Sequence, residues 1–195
     1  MIPLLTARLV LRGVAPTDGP ALVDGLNDWD VARWLARVPS PYTAGDAADF
    51  LDRARPGGDL EGQGEAVRAV ARRDDPARLL GLIGLGAELG YWLARPAWGR
   101  RLASEAVAAL LVHHFADPGA PDVIAHVFDG NERSERLLLR LGFAPEGIEP
   151  RFCLARGEDV PSRWMRLTRA ARQARLQPTH PTGSPAPPTS HAPRP

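Results

Sequence analysis

The order of hydrophobic patterns along the chain predicts an α+β fold, and three observations carry that prediction. Residues 66–94 hold three short apolar runs joined by tight turns, as an antiparallel meander would. Residues 100–115 form a long apolar stripe at helical spacing, and a strand-like run follows at 123–128. A hairpin meander followed by one strand–helix–strand crossover is an α+β arrangement.

The elements follow in order. Residues 8–12 alternate around Leu9 and Leu11 and open the sheet. Residues 17–27 place Leu22, Val23 and Leu26 on one helical face, and Val31, Trp34 and Leu35 suggest a second short helix. Thr43 opens a third, where its side chain can satisfy free backbone N–H groups, and Phe50 and Leu51 are buried. Residues 56–64 form a Gly-rich loop. Ala66, Val67, Val70 and Ala71 belong to the first meander strand; Asp74-Asp75-Pro76 turns the chain into residues 79–85, and Gly86 turns it into residues 88–94. The helix at 131–141 has Gly142 as its C-terminal stop. Two final strands are expected near 151–155 and 163–167, followed by a short basic helical extension over 169–177. The segment 178–195 is rich in Pro, Thr, Ser and Ala without apolar periodicity, so it is predicted to be disordered.

Composition bounds the function. A chain of 195 residues with 44% hydrophobic content can bury one good core. Its net charge is +1, which gives the whole molecule no field that seeks polyanions, so DNA is not an expected partner. The charge is uneven: residues 169–195 carry four Arg and no acid, leaving 20 Arg against 23 acids elsewhere. Four Arg are few for a ribosome or RNA contact. No apolar run reaches the ~18 residues of a membrane span, and residues 1–11 lack a basic stretch ahead of an apolar one. Cys153 is the only cysteine, so no intrachain disulfide forms and a reducing cytoplasm fits. His113 and His114 are adjacent, on different helix faces, with no carboxylate or Cys at ligand spacing; no metal is expected.

The segment from Glu88 to Ala106 carries the chemistry. It reads as a strand, a Pro-containing loop and a helix that starts inside a Gly and Arg cluster. A helix N-terminus exposes unpartnered N–H groups at the positive end of its dipole, which cradles phosphate. Arg95, Arg100 and Arg101 add charge around it.

Three stretches resemble the GNAT superfamily of N-acetyltransferases, especially its ribosomal-protein N-terminal acetyltransferase branch. Leu5-Thr-Ala-Arg-Leu-Val-Leu-Arg12 is similar to that branch's opening strand. Gly90-Tyr-Trp-Leu, followed by Trp98-Gly-Arg-Arg-Leu-Ala-Ser-Glu-Ala106, resembles the pyrophosphate loop. Asn131-Glu-Arg-Ser134 with Leu141-Gly-Phe143 resembles the later helix. The match covers roughly residues 4–168, so the domain is set at 1–168. It implies a mixed, mostly antiparallel seven-stranded sheet with helices on both faces and a central V-shaped cleft.

The resemblance also implies roles. Acetyl-CoA would be the acyl donor, with no metal. Tyr91, Trp92 and Leu93 would lie on the splayed strand whose backbone pairs with the pantetheine arm. Trp98, Gly99, Arg100, Arg101, Leu102, Ala103 and Ser104 would form the pyrophosphate loop, and Asn131 would reach the pantetheine end. The family usually has a second Gly where this chain has Arg101. At a position of positive φ an Arg would be strained; at a helical position it costs little and its N–H still points at phosphate. The helical case is the one expected.

Attack of an amine on a thioester needs a base for the ammonium proton and a donor for the leaving thiolate. Ser134 is the candidate donor, because the tyrosine that many relatives use would fall near Leu138 and is absent. His126 is the first candidate base, on the strand before Asn131, and Glu146 is the second. Trp29, Trp34 and Tyr42 flank the early helices where relatives bind acceptors. The expected reaction is acetyl transfer to a primary amine, a protein N-terminus or a small molecule. Two alternatives stand beside it: a non-catalytic acyl-CoA-binding module, and an enzyme using another acyl group such as succinyl. The chain is expected to be a monomer or a homodimer.

Overall fold

The structure is a computed structural model that describes residues 2–55 and 66–176. The predicted Gly-rich loop at 56–64 and Pro-rich tail at 178–195 lie outside the described residues.

One sheet runs through the molecule. Its strands are β1 (Leu4–Leu5), β2 (Leu9–Arg12), β3 (Ala66–Arg72), β4 (Leu79–Leu85), β5 (Leu89–Leu93), β6 (Val123–Phe128), β7 (Ala144–Cys153) and β8 (Glu158–Leu167). They lie in the order β1-β2-β3-β4-β5-β6-β8-β7. Every neighbouring pair is antiparallel except β5 and β6. The sheet thus has eight strands where seven were expected; the additional one is the two-residue β1, which pairs Leu4 with Leu11. The helices are α1 (Gly19–Leu26), α2 (Trp29–Ala32), α3 (Ala44–Ala54), α4 (Leu102–Phe115), α5 (Glu132–Leu141) and α6 (Arg169–Leu176). None of the described helices is long and apolar enough to cross a membrane.

The helices sort to the two faces because the strands carry apolar side chains on both. Leu22, Leu26, Val31 and Ala47 of α1–α3, with Tyr42 of the loop before α3, pack on Val67, Ala69, Leu79 and Leu82. Val107, Leu110 and Leu111 of α4 and Leu137 and Leu138 of α5 pack on Leu9, Val70, Ile83, Ala125 and Met165 from the other side. Val67 and Ala69 thus face one layer while Val70 faces the other, as strand alternation requires.

Local chemistry sets the helix ends. Thr43 and Asp46 form a capping box at α3. Gly142, at φ 100, stops α5 in the left-handed conformation. The basic helix α6 has a structural use for its cations. Arg169 donates to the carbonyls of Phe115 and Asp117 at the end of α4, and Arg175 donates to that of Leu139 near the end of α5. Cations there meet the negative ends of both helix dipoles.

The last two strands are longer than predicted. They form a hairpin of ten residues each, turned at residues 154–157. β7 is the edge of the sheet, and most of it is exposed, so its apolar alternation is weak. Pro145 and Pro150, which suggest a loop in sequence, are tolerated in an edge strand.

Candidate active site

The site begins where β5 and β6 part. They are neighbours in the sheet but pair only at Leu89 and Ala125. Beyond that point β5 stays bonded to β4 as far as Leu93, while β6 is drawn along β8 as far as Phe128. The wedge opens into a cleft of about 1320 Å³ that reaches the α1–α3 side and the starts of α4 and α5.

Tyr91, Trp92 and Leu93 line the wedge from β5. The Trp98 indole N–H donates to the Leu93 carbonyl at 2.6 Å, which ties the following loop to the splayed strand. Trp98, Gly99, Arg101, Leu102, Ala103 and Ser104 all line the cleft; Arg100 does not, and its carbonyl is bonded on the far side by Arg8. No side chain caps α4, so the N–H groups of its first turn lack the usual cap partner. Eight sequence-predicted positions of β5 and the loop therefore converge with Ser104 and Asn131 on one cavity.

Arg101 corrects the sequence expectation. It is not helical: it is the N-cap of α4 at φ 59 and ψ 18, the left-handed region. It is the one non-glycine residue of positive φ among the described residues. The loop has to turn twice to enter the helix, first at Gly99 with φ 75 and then here. An L-residue in that region costs roughly 1–2 kcal/mol. Arg101→Gly is accordingly expected to stabilise the protein by about 1 kcal/mol, seen as a rise in Tm of about 2–4 °C. An unchanged or lower Tm in differential scanning fluorimetry would show that this side chain contributes more than its backbone costs.

Asn131 caps α5, where its Oδ1 accepts from the Ser134 N–H at 3.3 Å. Ser134 lies one turn in, with its Oγ 2.8 Å from the Tyr91 hydroxyl. Burial pushes the Tyr91 phenol up to about 12, so it remains protonated at neutral pH. This hydroxyl comes from β5 and not from the helix position filled by Leu138, which is buried core.

His126 lies on the opposite wall, on β6. Its Nε2 is 3.5 Å from Glu88 Oε2 and its Nδ1 is 3.6 Å from Glu149 Oε1. Arg151 grips Glu88 with two nearly parallel hydrogen bonds of 2.7 and 2.9 Å. Burial alone would raise the Glu88 carboxyl, but the Arg151 contact overcomes it and holds the group below its ordinary range. His126 is lowered, first by burial and then by the charge of Arg151, with Glu88 and Glu149 opposing.

Glu88 and Arg151 were not read from the sequence as site residues. A lone carboxylate at the head of an apolar strand was the available sign of Glu88; for Arg151 there was none. Glu146 is corrected. It is the extra residue of an irregularity between Pro145 and Gly147, its carboxylate sits 3.5 Å from Arg166 Nε, and it does not line the cleft. Of the three aromatic residues expected at the acceptor side, Trp34 and Tyr42 line the cleft. Trp29 does not: it is 49% exposed, over a shallow depression behind Trp34. Cys153 is fully buried, its Sγ near the Arg33 and Leu35 carbonyls. No group of three metal-ligating side chains occurs among the described residues.

The fold that carries this cleft has known counterparts. The sequence profile of the family described as "Acetyltransferase (GNAT) domain" matches residues 8–144. The uncharacterized N-acetyltransferase YoaA of Bacillus subtilis strain 168 is 29% identical over 166 residues, covering 80% of this chain and 92% of that protein. The uncharacterized N-acetyltransferase p20 of Bacillus licheniformis is 30% identical over 165 residues, covering 80% and 90%. Among solved structures, the ribosomal L7/L12 α-N-protein acetyltransferase RimL in complex with coenzyme A superposes at a TM-score of 0.70 with 17% identity, covering 87% of this chain and 99% of that one. The microcin C7 self-immunity acetyltransferase MccE, in complex with acetyl-CoA and AMP, gives 0.70 with 16% identity, covering 84% and 93%. This chain belongs to the GNAT acetyltransferase family and is an acyltransferase.

Proposed function

We propose that the protein transfers the acetyl group of acetyl-CoA to a primary amine by direct attack within a ternary complex. The observation that carries this reading is the β5–β6 wedge, with proton-handling groups on its two opposite walls. The loop of residues 99–104 would receive the pyrophosphate on its free N–H groups. The MccE and RimL complexes hold acetyl-CoA and coenzyme A, which supports this choice of donor.

On the acceptor side, the Glu88 carboxylate attracts the incoming ammonium. The neutral His126 imidazole takes its proton, and the Glu88 and Glu149 carboxylates then stabilise the imidazolium. The amine nitrogen bonds to the acetyl carbon, the carbon–sulfur bond breaks with its electron pair on sulfur, the Ser134 hydroxyl donates a hydrogen bond to the departing thiolate, and the nitrogen's second proton ends on that sulfur, so that coenzyme A leaves as the thiol. Tyr91, protonated and 2.8 Å away, donates to Ser134 and leaves its hydrogen free for sulfur. The acceptor is a protein α-amine or a small-molecule amine, and the resemblance to the ribosomal-protein branch favours the first.

The test is isothermal titration with acetyl-CoA, coenzyme A and succinyl-CoA, followed by thiol release against a panel of peptide N-termini and small amines. Micromolar binding of acetyl-CoA and amine-dependent thiol release are expected. A protein that binds none of the three overturns the donor assignment. A preference for succinyl-CoA overturns the choice of acyl group.

A further inference from the structure

Two motifs far apart in sequence meet behind the phosphate loop. Glu105, in the first turn of α4, is 97 positions from Arg8. Its Oε1 accepts from Thr6 Oγ1 at 2.5 Å and from the Arg8 backbone N–H at 2.9 Å. Its Oε2 accepts from Arg8 Nε at 2.7 Å and Arg8 Nη2 at 2.6 Å. The remaining arm of the same guanidinium, Nη1, donates to the Arg100 carbonyl at 3.0 Å. One planar fork therefore holds both the first turn of α4 and the residue just before the left-handed Arg101. A lysine has no such reach.

This clasp makes sense of a loop conformation that no side-chain cap supports. Arg101 has no side-chain capping bond, and a non-glycine residue of positive φ persists only where its surroundings over-determine it. Thr6, Arg8 and Glu105 do not line the cleft; they grip the loop from outside it. An ion pair as exposed as this one, with 45% of the Arg8 side chain accessible, contributes little to stability. Burial would raise the Glu105 carboxyl, but the bonds from Thr6 and Arg8 hold it low, so it is charged at neutral pH.

We infer that Arg8, with Thr6 and Glu105, is a positioning group for the donor's pyrophosphate: it fixes the backbone of residues 99–101 so that the open N–H groups of α4 face the cleft. The inference rests on acetyl-CoA being the donor. The test compares coenzyme A with pantetheine, which lacks the phosphates, by titration calorimetry of the full chain. Arg8→Ala is expected to raise Kd for coenzyme A about tenfold and to leave that for pantetheine within about twofold, because a loop misplaced by a fraction of an ångström loses its phosphate contacts. Arg8→Lys, which keeps a cation beside Glu105, is expected to move the same ratio by a smaller factor, and it carries the test if the alanine variant does not fold. Equal loss for both ligands, or no loss for either, overturns the inference. A wild-type protein that fails to bind coenzyme A overturns the donor assignment instead, before any variant is made.

Discussion

Replacing His126 by alanine is expected to lower kcat by about 10²- to 10³-fold while leaving the Kd for acetyl-CoA within about twofold. The separation follows from where the residue sits. His126 is on β6, across the wedge from the loop that would receive the phosphates, and its contacts are Glu88 and Glu149. The pH profile gives an independent readout. Burial, then the charge of Arg151, lowers the imidazole from its ordinary 6.5. The neutral form is the base, so it predominates at pH 7, and the rate falls as pH drops through the lowered value. The acid limb of kcat/KM in the wild type should therefore lie below 6.5 and should be missing from what activity the alanine variant retains. Glu88→Gln keeps one of the two hydrogen bonds from Arg151 but removes the charge that supports the imidazolium; it is expected to cost less than His126→Ala and to shift the acid limb further down, since Glu88 raises His126. An acid limb that persists unchanged in His126→Ala would remove this residue from the proton path.

The sequence was most informative where burial is two-sided. β3, β4 and α4 are packed from both faces or along a wide stripe, so their apolar runs announced themselves. Most of the matching stretches at residues 90–93, 98–104 and 131–134 also lie on the cleft wall. The wall around His126 was less legible, for physical reasons. Glu88 and Arg151 lie 63 positions apart and are joined only by the course of β7 across the sheet. Tyr91 and Ser134 are 43 positions apart, and no spacing rule connects a strand residue with the first turn of a later helix. Glu146 lies at a one-residue irregularity in β7 beside Arg166, and that irregularity has no local signal in the sequence. Arg101 departs from the helical conformation that local preference favours because the loop enters α4 through a left-handed turn there.

The wedge itself depends on a glycine, and Gly81→Ala is expected to be the most damaging single methyl group in the chain. Gly81 is opposite Leu93 in the β4–β5 pair. A Cβ there would fall 2.1 Å from the Trp92 carbonyl oxygen and 2.7 Å from the Leu93 Cα, both backbone atoms that cannot rotate away. β5 would have to move. Past Leu89 it has no partner in β6, so β4 is the only strand that holds it in place. Trp92 and Leu93 line the cleft, and the Leu93 carbonyl receives the Trp98 indole, so the displacement reaches the phosphate loop as well. Overpacking of this kind costs about 3 kcal/mol. In a domain of this size that is a fall in Tm of about 6–12 °C, with weakened binding of acetyl-CoA. Gly90→Ala is the control: it lies in the facing strand, and its Cβ would meet nothing within 4 Å. It should hold the wild-type Tm or raise it by about 1–2 °C, because a methyl group placed in open space restricts only the unfolded chain. If Gly81→Ala matched Gly90→Ala in Tm and the wild type in acetyl-CoA affinity, the separation of β5 from β6 would not depend on the close approach of β4, and the origin of the cleft would lie in the pull of β8 on β6 alone.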